Sequence, residues 1–174
     1  MKLIEPTIEF DKQIREYRKE FLDCGDPLEG ASRLIQFDDP QDWIAFLNKL
    51  KDPATVPLGR VQLTQYILVR EDDQKIVGMT NIRHHLNAYL EQCGGHIGGS
   101  IAPSERHKGY ASQMMKMTLI KCKALGIDKV LCTCNNDNED SKRLILKCGG
   151  TYESDVYDPV DGVYVERYWF DLSK

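Results

Sequence analysis

The stretch Ile97-Gly98-Gly99-Ser100-Ile101-Ala102-Pro103-Ser104-Glu105-Arg106-His107-Lys108-Gly109-Tyr110-Ala111-Ser112 gathers the residue types best suited to chemistry in this chain. It reads as a strand, a short basic loop and a helix that begins at a glycine. A helix start carries free backbone N–H groups and a partial positive charge, a natural seat for an anion and above all a phosphate. Arg106, His107 and Lys108 add side-chain charge at that point. Gly109 has no Cβ, so the backbone there can come close to a ligand. A Walker loop requires Gly-x-x-x-x-Gly-Lys-Ser/Thr, which does not occur here. A Rossmann fingerprint requires Gly-x-Gly-x-x-Gly between strand and helix, and Gly94-Gly95-His96-Ile97-Gly98-Gly99 precedes a strand instead.

Elements on both sides must hold this stretch in place. Residues 3–10 read as a first strand. Ile14, Tyr17, Phe21 and Leu22 recur at helical spacing within residues 11–22. Asp38-Asp39-Pro40 opens a second helix carrying Trp43, Ile44, Phe46, Leu47 and Leu50. Residues 62–69 and 75–82 form a strand pair around an acidic turn, and residues 87–92 fit neither pattern cleanly. A strand over 96–102, a helix over 109–125, a strand over 129–134 and a helix over 138–147 follow. Two strands, near 151–157 and 163–171, close the chain. Strand–helix–strand alternation in the second half predicts parallel neighbours with crossover helices beside an early antiparallel hairpin.

The chain of 174 residues suits one domain with a full core. Its 41% hydrophobic and 29% charged residues are ordinary for a globular protein. A net charge of −4 gives no basic field for nucleic acid. Met1-Lys2-Leu3-Ile4-Glu5-Pro6 lacks the apolar stretch of a signal peptide, and no run approaches the length of a membrane span. The expectation is a cytoplasmic protein without a membrane partner. Six cysteines (24, 93, 122, 132, 134 and 148) include no Cys-x-x-Cys pair and read as reduced, mostly buried thiols, with no metal expected.

Three segments together resemble the GNAT superfamily of N-acetyltransferases. Arg106-x-x-Gly109-x-Ala111 is similar to that family's pyrophosphate loop, Gln/Arg-x-x-Gly-x-Gly/Ala. Ile101-Ala102-Pro103 resembles the end of the strand that holds the pantetheine arm. Asn138-x-x-Ser141-x-x-Leu144, then Lys147-Cys148-Gly149, resembles the second cofactor segment. The resemblance implies a single N-acetyltransferase domain over 1–174 with a cofactor-binding core at about 94–150. Its fold would be α/β and GNAT-like: a mixed, mostly antiparallel sheet of six or seven strands with about four flanking helices. It implies acetyl-CoA as acetyl donor and a primary amine, on a small molecule or peptide, as acceptor. A homodimer is an allowed assembly. Cofactor contacts would come from Ile101, Ala102, Arg106, His107, Lys108, Gly109, Tyr110, Ala111, Ser112, Asn138 and Ser141. Asn138 is equally suited to capping its helix.

Acid, base and acceptor wall are less defined. Many family members place a tyrosine acid where this chain has Ile145; Tyr110, Tyr152, Tyr157 and Tyr164 are replacements by residue type alone. For the base, the resemblance points to His96 or Glu91, with water-relayed proton loss as the alternative, and His84-His85 could line the same cleft. Strand alternation puts His96 on the face of Gly98, Ser100 and Ala102, and the neighbouring glycines would accommodate a bulge. By resemblance the acceptor wall falls on residues 24–37 and 153–163, where Glu153, Asp155, Asp158 and Asp161 would favour a cationic amine. Ile145 also leaves open a catalytically weak or inactive acyl-CoA-binding sensor. Cys148 lacks an evident histidine partner for service as a nucleophile.

Overall fold

The computed structural model describes residues 1–173. Its centre is the antiparallel pair β2 (Leu63–Arg70) and β3 (Lys75–Arg83), both buried along nearly their whole length. Continuous burial requires cover on both faces of this sheet, and helices supply it. β1 (Lys2–Ile4) pairs with the outer edge of β2, and β4 (Ile97–Ile101) with that of β3, giving the order β1-β2-β3-β4. A second sheet has the order β5-β7-β6, from Lys129–Asn135, Val163–Asp171 and Thr151–Asp158.

α1 (Asp11–Cys24) buries Ile14, Tyr17 and Phe21 on one stripe. α2 (Pro40–Lys51) starts where Asp39 accepts from the Gln41 N–H at 3.0 Å and Pro40 occupies the first turn. It then buries Trp43, Leu47 and Leu50. These two helices share a core with Ile67, Val69 and Met79. α3 (Tyr110–Ala124) and α4 (Glu139–Lys147) supply Met114, Leu119, Cys122 and Ile145 to a second core with Leu68, Val77, Val130, Tyr168 and Phe170.

Among the described residues, seven strands and four α-helices agree with the expected architecture, with three local corrections. The strand expected over residues 3–10 stops at Ile4, and a 3-10 turn, Ile8–Phe10, leads into α1. Pro6 has no N–H to give a ladder. The parallel neighbours expected in the second half are absent among the described residues, because every ladder is antiparallel. β5 takes the C-terminal β7 as its partner rather than continuing beside β4. The ambiguous segment at 87–92 becomes a π-helical turn, Leu90–Gly94, held by the Gly95 N–H on the Leu90 carbonyl at 2.7 Å.

β4 and β5 touch at one level and then part. The His96 N–H donates to the Leu131 carbonyl at 2.7 Å, and the Leu131 N–H donates back to His96 Nδ1 at 3.0 Å. Gly95, at φ +63°, permits this approach, since a Cβ there would lie 2.6 Å from the Leu131 oxygen. Only a residue without a side chain combines that backbone angle with so close a neighbour. Beyond this level the two strands belong to different sheets, and the edge of β4 is left open toward β5.

Candidate functional site

The start of α3 is built without a cap. Gly109 occupies the N-cap position at φ +83° and has no side chain with which to satisfy the first amides. His107 is also left-handed, at φ +60°, so successive N–H groups turn into a concave, anion-accepting backbone. A Cβ on Gly109 would meet nothing within 4 Å, so the space before these amides is open.

Two of the three basic side chains expected to meet that anion, those of Arg106 and Lys108, are engaged elsewhere. Lys108 Nζ turns back onto the Ser104 carbonyl at 2.8 Å and Glu105 at 3.0 Å. Glu105, 4% exposed, also takes Arg70 at 2.8 Å and Lys75 at 3.0 Å. Burial alone would raise the Glu105 pKa, but its hydrogen bonds to the three cations outweigh burial and bring it down to about 2, as bonding to the charged form does. Arg106 reaches Asp26 at 2.6 Å, in the loop after α1, and lies 5.7 Å over the Phe21 ring. The loop before α3 is thus fixed from beneath by Glu105 and from the side by Asp26, neither of which follows from the motif. The signal for Glu105 was a carboxylate set among basic residues.

The edge of β4 continues this surface. The Arg83 N–H donates to the His96 carbonyl at 2.8 Å, and the Ala102 N–H to the Val77 carbonyl at 3.0 Å. Antiparallel pairing alternates, so even-numbered residues of β4 turn their backbone groups to β3. Ile97, Gly99 and Ile101 therefore turn theirs to the open edge, and Gly99 is exposed. Across the opening, Asn138 caps α4: its Oδ1 accepts from the Ser141 N–H at 3.1 Å, and Ser141 is half-buried beside it.

His96 is not carried on either face of β4. It precedes the strand, is 8% exposed, and uses its Nδ1 lone pair to accept from Leu131. Neutral imidazole with Nδ1 accepting carries its proton on Nε2, which leaves no ring lone pair for a substrate proton. Burial, with Arg83 nearby, lowers its pKa and keeps it neutral. Glu91 lies exposed in the π-helical turn, where its carbonyl accepts from Arg167. His84 Nε2 is 2.8 Å from Thr64 Oγ1. Ile145 is 3% exposed in the core, Tyr110 accepts from Arg70 at 3.1 Å, and Tyr152 donates to Asp155 at 2.9 Å. Tyr157 and Tyr164 pack edge-on at 5.2 Å and remain half-exposed. Burial pushes the Cys148 thiol up, away from the thiolate a nucleophile needs. Of the acidic residues on the closing hairpin, Glu153 is paired with Arg167 at 2.6 Å and Asp158 accepts from Tyr89 at 2.8 Å.

The model of the acetyltransferase (GNAT) family matches residues 15–150, which takes in both opened strands and the uncapped helix. The chain belongs to this family. Among solved structures, this family member is similar to the ribosomal-protein-S5-alanine acetyltransferase from Vibrio fischeri, with a TM-score of 0.73 at 14% identity over 99% of this chain and 93% of that one. It is also similar to the spermidine N-acetyltransferase from Vibrio cholerae in complex with CoA and spermine, with a TM-score of 0.67 at 15% identity over 99% and 96%. A third likeness is the microcin C7 self-immunity acetyltransferase in complex with acetyl-CoA and AMP, with a TM-score of 0.68 at 13% identity over 97% and 91%. At these identities the likeness is one of fold. No curated protein sequence matches this GNAT chain. Among the described residues no group of three or more His, Cys, Asp or Glu could hold a metal ion, and no helix is long and apolar enough to cross a membrane.

Proposed function

We propose that this chain transfers an acetyl group from acetyl-CoA to a primary amine, by direct attack within a ternary complex. The observation that carries the reading is the continuity between the uncapped start of α3 and the open backbone edge of β4. Bound acetyl-CoA supplies the acetyl group as an activated thioester. The amides of Gly109, Tyr110, Ala111 and Ser112, with those of His107 and Lys108, hold its pyrophosphate. The backbone groups of Gly99 and Ile101 pair with the amides of the pantetheine arm, and Ala102 anchors the strand end against β3. An N–H on this edge also faces the developing negative charge on the thioester oxygen. Asn138 keeps its amide N–H groups for the arm while its oxygen caps α4, and Ser141 stands behind it. Arg106 is held on Asp26 and, while that pair stands, is not the principal phosphate ligand.

Proton removal from the ammonium falls to water or to the exposed Glu91 carboxylate, because the His96 lone pair is committed to Leu131. Ile145, buried where many family members carry a tyrosine acid, favours a second reading: a catalytically weak or inactive acyl-CoA sensor. One assay separates the two. The chain is incubated with acetyl-CoA and a panel comprising spermidine, a peptide with N-terminal alanine and simple alkylamines, and thiol release is followed. Turnover with an amine, lost in Gly109→Trp, supports the enzyme. CoA binding without turnover across the panel supports the sensor.

A further inference from the structure

Arg83 ends β3. Strand alternation puts it on the face of Met79 and Asn81, the side covered by α1, α2 and the loop between them. Its backbone N–H reaches the His96 carbonyl at 2.8 Å, just before the edge of β4 opens toward β5. Arg83 therefore stands at the end of that edge away from α3. With its pyrophosphate at α3, acetyl-CoA laid along the edge has its thioester toward this end.

The guanidinium is held in one orientation. Nη1 donates to the Gly94 carbonyl at 2.9 Å and to the Gly95 carbonyl at 3.0 Å, at the end of the π-helical turn. Nη1 carries two hydrogens, so both are used. Nε and Nη2 have no partner among the described residues, and neither is sealed away from solvent. One hydrogen on Nε and one on Nη2 point the same way, a fork that a carboxylate fits with two parallel bonds.

The charge on this group is not balanced. The other arginines drawn out of solvent are Arg18, Arg70 and Arg167. Each holds a carboxylate: Asp38 at 2.9 Å, Glu105 at 2.8 Å and Glu153 at 2.6 Å. Half-buried Arg83 has no ion pair among the described residues. Burial lowers its pKa, and the carboxylate that most opposes this is Glu29 on the α1–α2 loop. Glu29 acts on the guanidinium without pairing with it, so the two charges stand apart. A cation drawn out of water without an anion is costly, and a bound carboxylate relieves that cost.

We propose that the open fork of Arg83 binds a carboxylate carried by the acceptor, which makes the acceptor an amino acid or another amine bearing a carboxylate. This rests on the acetyl-transfer reading above and names its substrate class. A zwitterion suits both charges, its carboxylate on Arg83 and its ammonium on the side of Glu29 before the proton is lost. A phosphate dianion is repelled more strongly by Glu29. Spermidine and simple alkylamines offer the fork nothing.

The test assays the full chain with acetyl-CoA against the standard amino acids, the same amino acids as carboxamides, phosphoethanolamine and spermidine. The preferred amino acid should exceed its carboxamide in kcat/KM by about tenfold or more, the scale of a charge-assisted hydrogen bond. Arg83→Met should shrink that preference to within about threefold by raising KM for the acid, with the CoA dissociation constant kept within about twofold. Arg83→Lys keeps the charge without the fork and should restore only part of the preference. If the variants do not fold, the wild-type comparison of acid with carboxamide decides alone. Carboxamides, phosphoethanolamine or spermidine turned over as well as the best amino acid would overturn this assignment and leave acetyl transfer standing. An Arg83→Met chain that keeps the wild-type preference would do the same. Turnover of none of these amines by a chain that binds CoA removes the acetyl-transfer reading and this assignment with it.

Discussion

Arg106 donates to Asp26 at 2.6 Å, joining the loop that enters α3 to the loop that leaves α1. One guanidinium thus links the phosphate-accepting turn to the segment lying across β4 at Gly98 and Gly99. The Arg106 hydrogen bond is the chief reason the Asp26 carboxyl sits below its ordinary pKa. Releasing that guanidinium makes it available to phosphates. Asp26→Asn is expected to tighten CoA binding about threefold, in the range of a single exposed ion pair, and to speed amide exchange over residues 25–33. Calorimetry and hydrogen exchange measure the two effects, and weaker CoA binding in Asp26→Asn would show that the pair preorganises the site instead.

Glu105 makes the loop sensitive to acid. Its native pKa of about 2 lies below the ordinary value of 4.5, so its contribution is complete above about pH 4.5 and is lost as pH falls toward about 2. Glu105→Gln leaves Arg70, Lys75 and Lys108 facing one another without their shared anion. A loss of about 3 kcal/mol is expected, at the lower end for breaking a buried pair. In denaturant titrations at neutral pH and near pH 3 the wild type should lose stability on acidification, and the variant should lose much less.

His96 gives a prediction of the opposite kind for catalysis. If its role is to tie β4 to β5, His96→Ala costs about 1–3 kcal/mol for a broken buried hydrogen bond. The midpoint of the pH–rate profile should stay where it was. Because the native pKa is lowered, the tie is fully present above about pH 6.5 and fails as pH drops through the native value. A shifted acid limb in His96→Ala would restore this residue as the base.

Gly30 tests the contact of the loop with the strand. A Cβ there would stand 2.4 Å from Gly99 Cα and 2.5 Å from the Gly98 carbonyl carbon, at φ +67°. Gly30→Ala is expected to destabilise by about 1–3 kcal/mol from overpacking and by about 1 kcal/mol more from the left-handed backbone. Thermal unfolding measures it. Gly59, also left-handed but with nothing within 4 Å, should show the backbone share alone when changed to alanine.

Much of the fold was legible because the elements are locally consistent. The stripes Ile14-Tyr17-Phe21 and Trp43-Leu47-Leu50, the Asp39-Pro40 start and the glycine before α3 each specify their own segment. The choice of strand partner was not local. β5 reads as a buried strand equally well beside β4 or beside β7, and only the C-terminal hairpin decides between them. At the site, the backbone-presenting residues Gly109 and Ile101 could be read from the motif, since their role needs only position. The side chains could not. Lys108 and Arg106 are turned aside by Glu105 and Asp26, and the latter lies 80 residues away in sequence. Strand parity assigns His96 a face, yet its position just outside β4 releases it from that alternation.

The central claim is that the start of α3 and the open edge of β4 form one acetyl-CoA surface held by backbone amides. Backbone amide shifts followed by NMR during titration of the full chain with acetyl-CoA test it most directly. The largest changes are expected at Gly109–Ser112 together with Gly99 and Ile101, and they should vanish in Gly109→Trp. Binding that leaves those amides unmoved, or that survives Gly109→Trp, would contradict the account.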